Sequence, residues 1–311
     1  MFKRTVMRSH TSLFRLALTG VATITLMLSG IGTVLALSPA AASAAPTQGF
    51  TCAGGPIPSG SYGSVTVTGF CFVAGTVSVT GGLTIAPNAA LNATDPTTSD
   101  GNGGVICTHI VHLDVSGGIR VLSNGILFLG DSYRPGGGTG CPTSNDVVNG
   151  GIVGQGSNSV VVHGTHINGG LTLNGGGGGN SYIGPGGTIF CADVVIGGVD
   201  VGFPPFSDVE DSQINGGASI VGLNTCWMGF INNQVNGGVT INNNTMGDPD
   251  AIEIGLNTIH GGLACSGNLR DPNSHIFPDD GSGGVPTNSF DGSPPNPNTV
   301  TGQETGQCAG L

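Results

Sequence analysis

Val79-Thr80-Gly81-Gly82-Leu83-Thr84-Ile85 is the first clear copy of a phrase that recurs along this chain of 311 residues. In every copy a valine or isoleucine stands two residues before the first glycine, and an apolar residue follows the second glycine. The first glycines are at positions 81, 117, 150, 169, 197, 216, 237 and 261. A repeated unit that cannot bury its own apolar face must stack on its neighbours, so the repeat predicts a solenoid.

Apolar residues alternate with other residues on both sides of each glycine pair, which is the period of a β-strand. The pair itself indicates a tight bend between two strands, where φ can be positive and no Cβ blocks the corner. A glycine-rich disordered chain is disfavoured because the branched residues keep phase over roughly 180 residues. An antiparallel β-sandwich stays open as the ordered alternative. The predicted core contains Val115, Ile119, Val121, Ile167, Leu171, Leu173, Ile214, Val235, Val239 and Ile241.

Small polar residues occupy a second register, four residues before the first glycine. They are Asp146, Thr165, Asp193, Ser212, Asn233 and Asn257. Stacked coil on coil, such side chains can hydrogen-bond each other and the turn backbone. Asn298-Thr299-Val300-Thr301-Gly302 repeats the pattern in degenerate form after a stretch rich in Pro, Gly and Asp, and it predicts a terminal coil.

The glycine-turn repeat and the polar register resemble those of the secreted polysaccharide lyases and galacturonases, over roughly Val65 to Cys265. The resemblance implies an all-β, right-handed parallel β-helix (β-solenoid) of roughly nine coils. The C-terminal segments Cys265-Ser266-Gly267-Asn268 and Gly306-Gln307-Cys308 are also similar to those of Gly/Asn-rich secreted bacterial proteins. That second resemblance gives no indication of a particular activity.

The N-terminal segment has the composition of a signal peptide. Lys3, Arg4, Arg8 and Arg15 precede an apolar run, and Ala42-Ser43-Ala44 fits the small-x-small cleavage rule. An uncleaved membrane anchor is the alternative, because the apolar run is nearly long enough to span a bilayer. The predicted segments are a helical signal peptide (1–44), a lead-in (45–64), the β-helix (65–267), and a Pro/Gly-rich excursion with the terminal coil (268–311). The predicted location is extracellular, with the bacterial cell surface included.

All eight cysteines lie after the cleavage site, and an even number in an exported chain indicates disulfides. We expect no free thiol. The first prediction pairs them in sequence order: Cys52 with Cys71, Cys107 with Cys141, Cys191 with Cys226, and Cys265 with Cys308. Pairing of Cys71 with Cys107 stays open, since both stand ten residues before a glycine pair.

Removal of the signal peptide leaves three arginines against 18 acidic residues, a formal charge of −15. Nucleic acid and anionic membranes are therefore excluded as partners, because binding them needs clustered Lys and Arg. Neutral glycans or other cell-envelope components remain as partners. We expect attachment to a membrane only if the signal segment remains uncleaved and acts as an anchor.

Two acidic clusters are candidates for calcium, the one cofactor that the sequence leaves open. Asp208, Glu210 and Asp211 are predicted in one loop. Asp248, Asp250 and Glu253 are predicted in another. Neither cluster matches an established calcium motif, and solvated acidic loops are the alternative.

The histidines form two pairs, His109-x-x-His112 and His163-x-x-His166. In an extended strand, positions i and i+3 point to opposite faces, so neither pair can chelate zinc without a turn between its members. Gly164 could provide that turn between His163 and His166, but we interpret the histidines as ladder or surface residues. Trp227 is a candidate sugar platform, with packing over a disulfide as its alternative.

No catalytic residue is predicted. A polysaccharide lyase needs a base, usually Arg or Lys, that removes a proton next to a substrate carboxylate whose charge is neutralised. The mature chain has only Arg120, Arg134 and Arg270 as candidates for this base. The sequence therefore favours a structural or surface-interaction protein. The alternative is a polysaccharide-active enzyme, a lyase or glycoside hydrolase that could depend on calcium.

Overall fold

A computed structural model describes residues 48–99, 105–131, 141–179, 182–183, 189–191, 193–196, 199–200, 204–247, 252–270, 286–289 and 295–311. The described residues form an all-β structure built on three long parallel sheets. The chain contributes one strand to each of the three sheets in turn and then starts the next coil, which makes the protein a β-solenoid. The sheets are named A, B and C in the order in which the chain reaches them. The predicted signal peptide lies outside the described residues. Within those ranges there is no helix with the length and apolarity needed to cross a bilayer.

The strands of each sheet follow one another in sequence order along the stack. Sheet A contains Gly49–Cys52, Ser64–Val67, Leu83–Ile85, Ile119–Val121, Ile152–Gln155, Leu171–Asn174, Ala218–Val221, Val239–Asn242, Leu263–Ser266 and Glu304–Gly306. Sheet B contains Gly55–Ile57, Phe70–Val73, Ala90–Ala93, Ile126–Leu129, Ser159–His163, Phe206–Glu210, Trp227–Ile231 and Ile252–Gly255. Sheet C contains Gly60–Tyr62, Thr76–Val79, His112–Val115, Val147–Val148, His166–Ile167, Gln213–Ile214, Gln234–Val235, Thr258–Ile259 and Thr299–Val300.

Short strands complete the described structure. A three-stranded parallel sheet between sheets A and B consists of Asn224–Thr225, Thr245–Met246 and Leu269–Arg270. Three antiparallel pairs join Thr97–Ser99 to Val105–Cys107, Tyr182–Ile183 to Ile189–Phe190, and Val195–Ile196 to Val199–Asp200.

The inward side chains of the three sheets form one continuous apolar core. Each of the ten predicted core residues belongs to it and is at most 1% exposed. Because neighbouring strands within each sheet are parallel, the antiparallel sandwich is excluded. The predicted terminal coil is confirmed, since Thr299–Val300 pairs with Thr258–Ile259. The stack begins within the segment assigned as a lead-in, because Gly49–Cys52 pairs with Ser64–Val67.

The glycine pairs join sheet C to sheet A, as the repeat predicts, but positive φ is not the general reason for them. Among the described pairs only Gly118 has a positive φ, of 97°. The first glycine instead lies against the backbone of the preceding pair. A Cβ on Gly169 would lie 2.5 Å from the carbonyl oxygen of Gly150, and one on Gly237 would lie 2.8 Å from that of Gly216. The repeat therefore encodes close approach between coils.

The copy at Val195 does not form a coil, which corrects the sequence interpretation. Val195–Ile196 pairs antiparallel with Val199–Asp200 within the insertion between the strands Leu171–Asn174 and Phe206–Glu210. A glycine pair between two β-branched segments is also the signature of a two-residue hairpin, so the motif alone does not separate the two outcomes. Asp193, predicted in the polar register, is accordingly exposed.

The four disulfides join the cysteines in sequence order, as first predicted. No cysteine is free, and the open pairing of Cys71 with Cys107 is excluded. The Cys265–Cys308 bond ties the end of the chain to the last complete coil. The Cys191–Cys226 bond anchors the long insertion beside sheet B, where Val194 packs with Ala90 and Ile126.

Candidate functional site

A groove runs along the corner where sheet B passes into sheet C. Its volume is about 280 Å³. Its floor belongs to the predicted polar register, in which the amide of Thr165 donates to Ser212 Oγ at 3.2 Å and the amide of Ser212 donates to Asn233 Oδ1 at 3.1 Å. Thirteen of the described residues line the groove: Thr143, Asn145, Gly164, Thr165, His166, Asp211, Ser212, Gln213, Asn232, Asn233, Gln234, Leu256 and Thr258.

The floor continues through asparagines that are fully occupied in hydrogen bonds. Asn257 Oδ1 accepts from the backbone amide and from Nδ2 of Asn233, at 2.9 and 3.1 Å. Asn257 Nδ2 donates to the carbonyl of Phe230 at 2.7 Å and to Asn298 Oδ1 at 2.8 Å. Asn233 and Asn257 are each 1% exposed. The predicted ladder is therefore confirmed at Thr165, Ser212, Asn233 and Asn257, and these residues are buried.

The two walls repeat from coil to coil. One wall is the outward row of sheet C, where His166, Gln213, Gln234 and Thr258 stand in register. His166 Nδ1 lies 2.9 Å from Gln213 Oε1. The other wall is the row at the corner itself, which consists of Gly164, Asp211, Asn232 and Leu256.

The corner wall contains residues in the left-handed region of φ. Asp211 has φ 51°, Asn232 has φ 54° and Leu256 has φ 61°, with Gly164 at 55° in the preceding coil. Gly, Asn and Asp adopt this conformation readily, but a leucine pays about 1–2 kcal/mol for it. Leu256 is also 46% exposed. Backbone strain at an exposed apolar residue in a groove is typical of a residue that contacts a ligand.

In the coils that precede Thr165, the polar residues at this corner are aspartates and not asparagines. Asp146 Oδ1 accepts from the amide of Leu113 at 2.8 Å and lies 3.0 Å from His112 Nδ1. The other ring nitrogen, His112 Nε2, lies 3.2 Å from Asp114 Oδ1. Asp146 is fully buried, and its Oδ2 has no hydrogen-bond partner among the described residues.

Burial dominates the titration of these carboxyl groups. It raises the pKa of Asp146 to about 7, against the lowering effects of the Leu113 amide and His112, and Asp114 and Asp131 raise it further. Burial also raises the pKa of Asp131 to about 6, although its carboxylate accepts a hydrogen bond from the amide of Asp95. The pKa of Asp95 is raised by burial as well.

We expect the folded state to lose stability as the pH rises from 5 to 8. The folded pKa values of about 6 and 7 lie above the ordinary value of 3.8, so the folded chain binds more protons than the unfolded chain in this interval. The loss should be about 4 kcal/mol, measured by urea unfolding at each pH.

Asp146→Asn should remove about two thirds of that pH dependence, because Asp146 has the higher pKa of the two groups. The variant keeps an oxygen for the Leu113 amide and matches the asparagines found elsewhere in the ladder. Asp193→Asn is the control, because Asp193 occupies the same sequence register but is exposed. Parallel pH profiles for Asp146→Asn and the unchanged protein would contradict the assignment.

The first calcium candidate is split by the structure and does not lie in a loop. Asp208 and Glu210 belong to the sheet B strand Phe206–Glu210 and are 5% and 7% exposed, whereas Asp211 lies at the corner and lines the groove. The strand extends to Glu210 because its backbone pairs with the neighbouring strand Ser159–His163, in which His163 lies opposite Glu210. Asn232 Nδ2 donates to Asp211 Oδ1.

The second calcium candidate is only partly described. Glu253 belongs to the strand Ile252–Gly255 and is 9% exposed, so its predicted place in a loop is wrong. Gly229 separates it from Asp208 in the register of sheet B, so the two carboxylates are not adjacent. Asp248 and Asp250 lie outside the described residues.

His163 and His166 lie on different surfaces of the solenoid. His163 Nε2 lies 2.9 Å from Asp208 Oδ2 on the outer face of sheet B, whereas His166 lies in the groove. His109 is exposed. Asp95 lies close to Cys107 and Cys141, but their disulfide removes both sulfurs as thiolate ligands.

The remaining candidates are dispersed. Trp227 lies in a strand of sheet B and not in a loop, with its ring centroid 6.0 Å from that of Phe206. Arg120 is exposed on sheet A, as its outward phase predicts. Arg134 and the side chain of Arg270 lie outside the described residues.

The groove escaped the sequence analysis because its two walls come from different registers of the repeat. The usable signal was the recurrence of polar residues on both sides of each ladder position, at Asp211 and Gln213 and again at Asn232 and Gln234. Comparison with family models, with curated proteins and with solved structures gives no match, so the geometry of the groove carries the functional conclusion.

Proposed function

We propose that this chain is an exported, disulfide-stapled β-solenoid with a surface-interaction role, and that the groove at the corner of sheets B and C binds neutral glycans. The observation that carries the proposal is the lining of the groove. The sheet C wall presents the uncharged side chains of Gln213, Gln234 and Thr258 over three successive coils, and Asn232 adds an amide on the corner wall.

Amide side chains match the hydrogen-bonding needs of sugar hydroxyl groups. Asn and Gln each offer two donors and an acceptor, and a hydroxyl group also donates and accepts. Among the residues that the structure describes, no lysine or arginine lines the groove, and Asp211 and His166 are its titratable members. A mature chain with a formal charge of −15 also repels anionic polymers. These features together favour an uncharged ligand.

The direction of the groove favours an extended polymer. Each coil adds one corner residue and one sheet C residue, such as Asn232 with Gln234. A glycan lying along the stack would therefore meet one corner residue and one sheet C residue at every coil, although the side chains of these pairs differ. The buried ladder beneath fixes the walls before binding, which lowers the conformational entropy lost on association.

Export and handedness belong to the same proposal. Four disulfides are typical of proteins that fold in an oxidising compartment, in agreement with the signal-peptide composition of residues 1–44. Crossover connections between parallel strands are right-handed in nearly all proteins, which supports a right-handed coil.

Gln234→Ala tests the groove. We expect it to weaken the binding of neutral gluco-, manno-, galacto- or xylo-oligosaccharides, measured by calorimetry, by about five- to tenfold through loss of a wall hydrogen bond. Asn236→Ala is the matched control, because Asn236 is an exposed amide two residues later and does not line the groove. Equal effects of the two substitutions, or no binding of any of these sugars at millimolar concentration, would refute the proposal.

Leu256→Asn should separate stability from binding. An asparagine accepts φ 61° more readily, so the melting temperature should rise with a gain of about 1 kcal/mol. The same change removes an apolar surface for the carbon face of a sugar ring, so the affinity for the bound oligosaccharide should fall. A variant that is more stable and binds equally well would show that Leu256 has no part in recognition.

A further inference from the structure

We infer that His163, Asp208 and Glu210 form a binding site for a divalent transition-metal ion of the zinc class on the outer face of sheet B. This site lies on the other side of the corner from the groove and is independent of glycan binding. One ligand atom from each of the three side chains lies within 4.8 Å of the other two.

The register of sheet B produces this convergence. His163 pairs directly with Glu210 in the neighbouring strand, and Asp208 stands two residues before Glu210 on the same face. His163 Nε2 lies 2.9 Å from Asp208 Oδ2 and 4.0 Å from Glu210 Oε2. Ligands of a tetrahedral zinc ion at about 2.0–2.2 Å are about 3.3–3.6 Å apart, so small side-chain adjustments would admit the ion.

Asp208 gives a second and separate indication. The residue is 5% exposed, and its Oδ1 is buried without a hydrogen-bond partner among the described residues. A buried carboxylate oxygen left in this way is costly unless a ligand satisfies it. Gly229, next to Asp208 in the sheet, leaves the space for this carboxylate, since a Cβ there would collide with Oδ1.

The donor set selects the class of metal. Calcium prefers six or more oxygen ligands, whereas an imidazole nitrogen with two carboxylates suits zinc and its first-row neighbours. The side chain of His163 is 24% exposed, which gives an ion a route to Nε2. The proposed site therefore differs from the calcium site predicted at Asp208, Glu210 and Asp211. His163 takes the place of Asp211 as a ligand, and the metal is of the zinc class.

Calorimetric titration of metal-free protein with Zn²⁺ at pH 7.5 tests the inference, with Ca²⁺ as the comparison ion. We expect one equivalent of Zn²⁺ to bind, at least tenfold more tightly than Ca²⁺. Asp208→Asn should weaken the affinity for Zn²⁺ at least tenfold. His163→Gln should do the same without altering a buried carboxylate, and it keeps the test valid if Asp208→Asn is poorly folded.

Two controls decide whether the ion binds at these residues. Asp211→Asn changes a carboxylate that faces the groove, and His166→Gln removes a histidine of the groove wall. Both should bind Zn²⁺ like the unchanged protein. Absence of Zn²⁺ binding, tighter binding of Ca²⁺, or an equal loss of affinity in the control variants would overturn the inference.

Discussion

Replacement of Asn257 by alanine is expected to lower the free energy of unfolding by about 3–4 kcal/mol. The substitution removes an acceptor for the amide and Nδ2 of Asn233 and a donor for the carbonyl of Phe230. These groups are buried, so water does not replace the lost partners without opening the coil. Urea unfolding followed by circular dichroism measures the effect.

The control is Asn236→Ala, in an exposed row of hydrogen-bonded asparagines between sheets C and A, which consists of Asn149, Asn168, Asn215 and Asn236. Asn236 Nδ2 donates to Asn215 Oδ1 at 2.6 Å, but both side chains are exposed. Water can therefore take over the hydrogen bond, and the change should stay within about 0.5 kcal/mol. Similar losses for Asn257→Ala and Asn236→Ala would contradict the role given to burial.

Gly237→Ala is expected to destabilise the protein by about 2–3 kcal/mol. A Cβ at Gly237 would lie 2.8 Å from the nitrogen and Cα of Gly217 and from the carbonyl oxygen of Gly216. All three atoms belong to backbone in the preceding coil, so the clash is relieved only by separating two coils. Thermal and urea unfolding of the variant measure the loss.

Gly238→Ala provides the matched control within the same pair. The nearest atom to a Cβ at Gly238 is the carbonyl oxygen of Gly262, at 3.5 Å, which is an ordinary contact. This substitution should change the unfolding free energy by about 0.5 kcal/mol or less, since the lower entropy of an unfolded alanine offsets small strain. Equal sensitivity of the two glycines would show that close approach between coils is not the reason for the pair.

The sequence predicted the architecture because the repeat reports directly on stacking. Branched residues in phase located the core, and the residues four positions before the glycines located one buried ladder. A second buried ladder, in which Asn268 Oδ1 accepts from Asn244, lies at the corner of sheets A and B. Both asparagines stand seven residues after the first glycine of their pair, but Leu223 occupies this position in the preceding coil, so the polar pattern is too short to stand out in the sequence. The hairpin at Val195 was misassigned because its local pattern equals that of a coil.

The candidate sites were harder to predict because they depend on contacts between coils of unequal length. His163 and Asp208 are 45 positions apart in sequence, and an insertion within that interval hides their adjacency. The sequence identified the carboxylates of Asp208 and Glu210 but grouped them with Asp211, which is next in the chain. In the strand, Asp208 and Glu210 share a face, and the corner turns Asp211 into the groove.

The most direct test of the central claim is a titration of isotope-labelled protein with the neutral oligosaccharide that binds best, followed by the backbone amide signals in NMR spectra. The account predicts shifts concentrated at the sheet B-to-C corner, including Thr165, Ser212 and Asn233 on the floor and Gln213 and Gln234 on the wall. Saturable binding with shifts confined to sheet A or to the outer face of sheet B would contradict it.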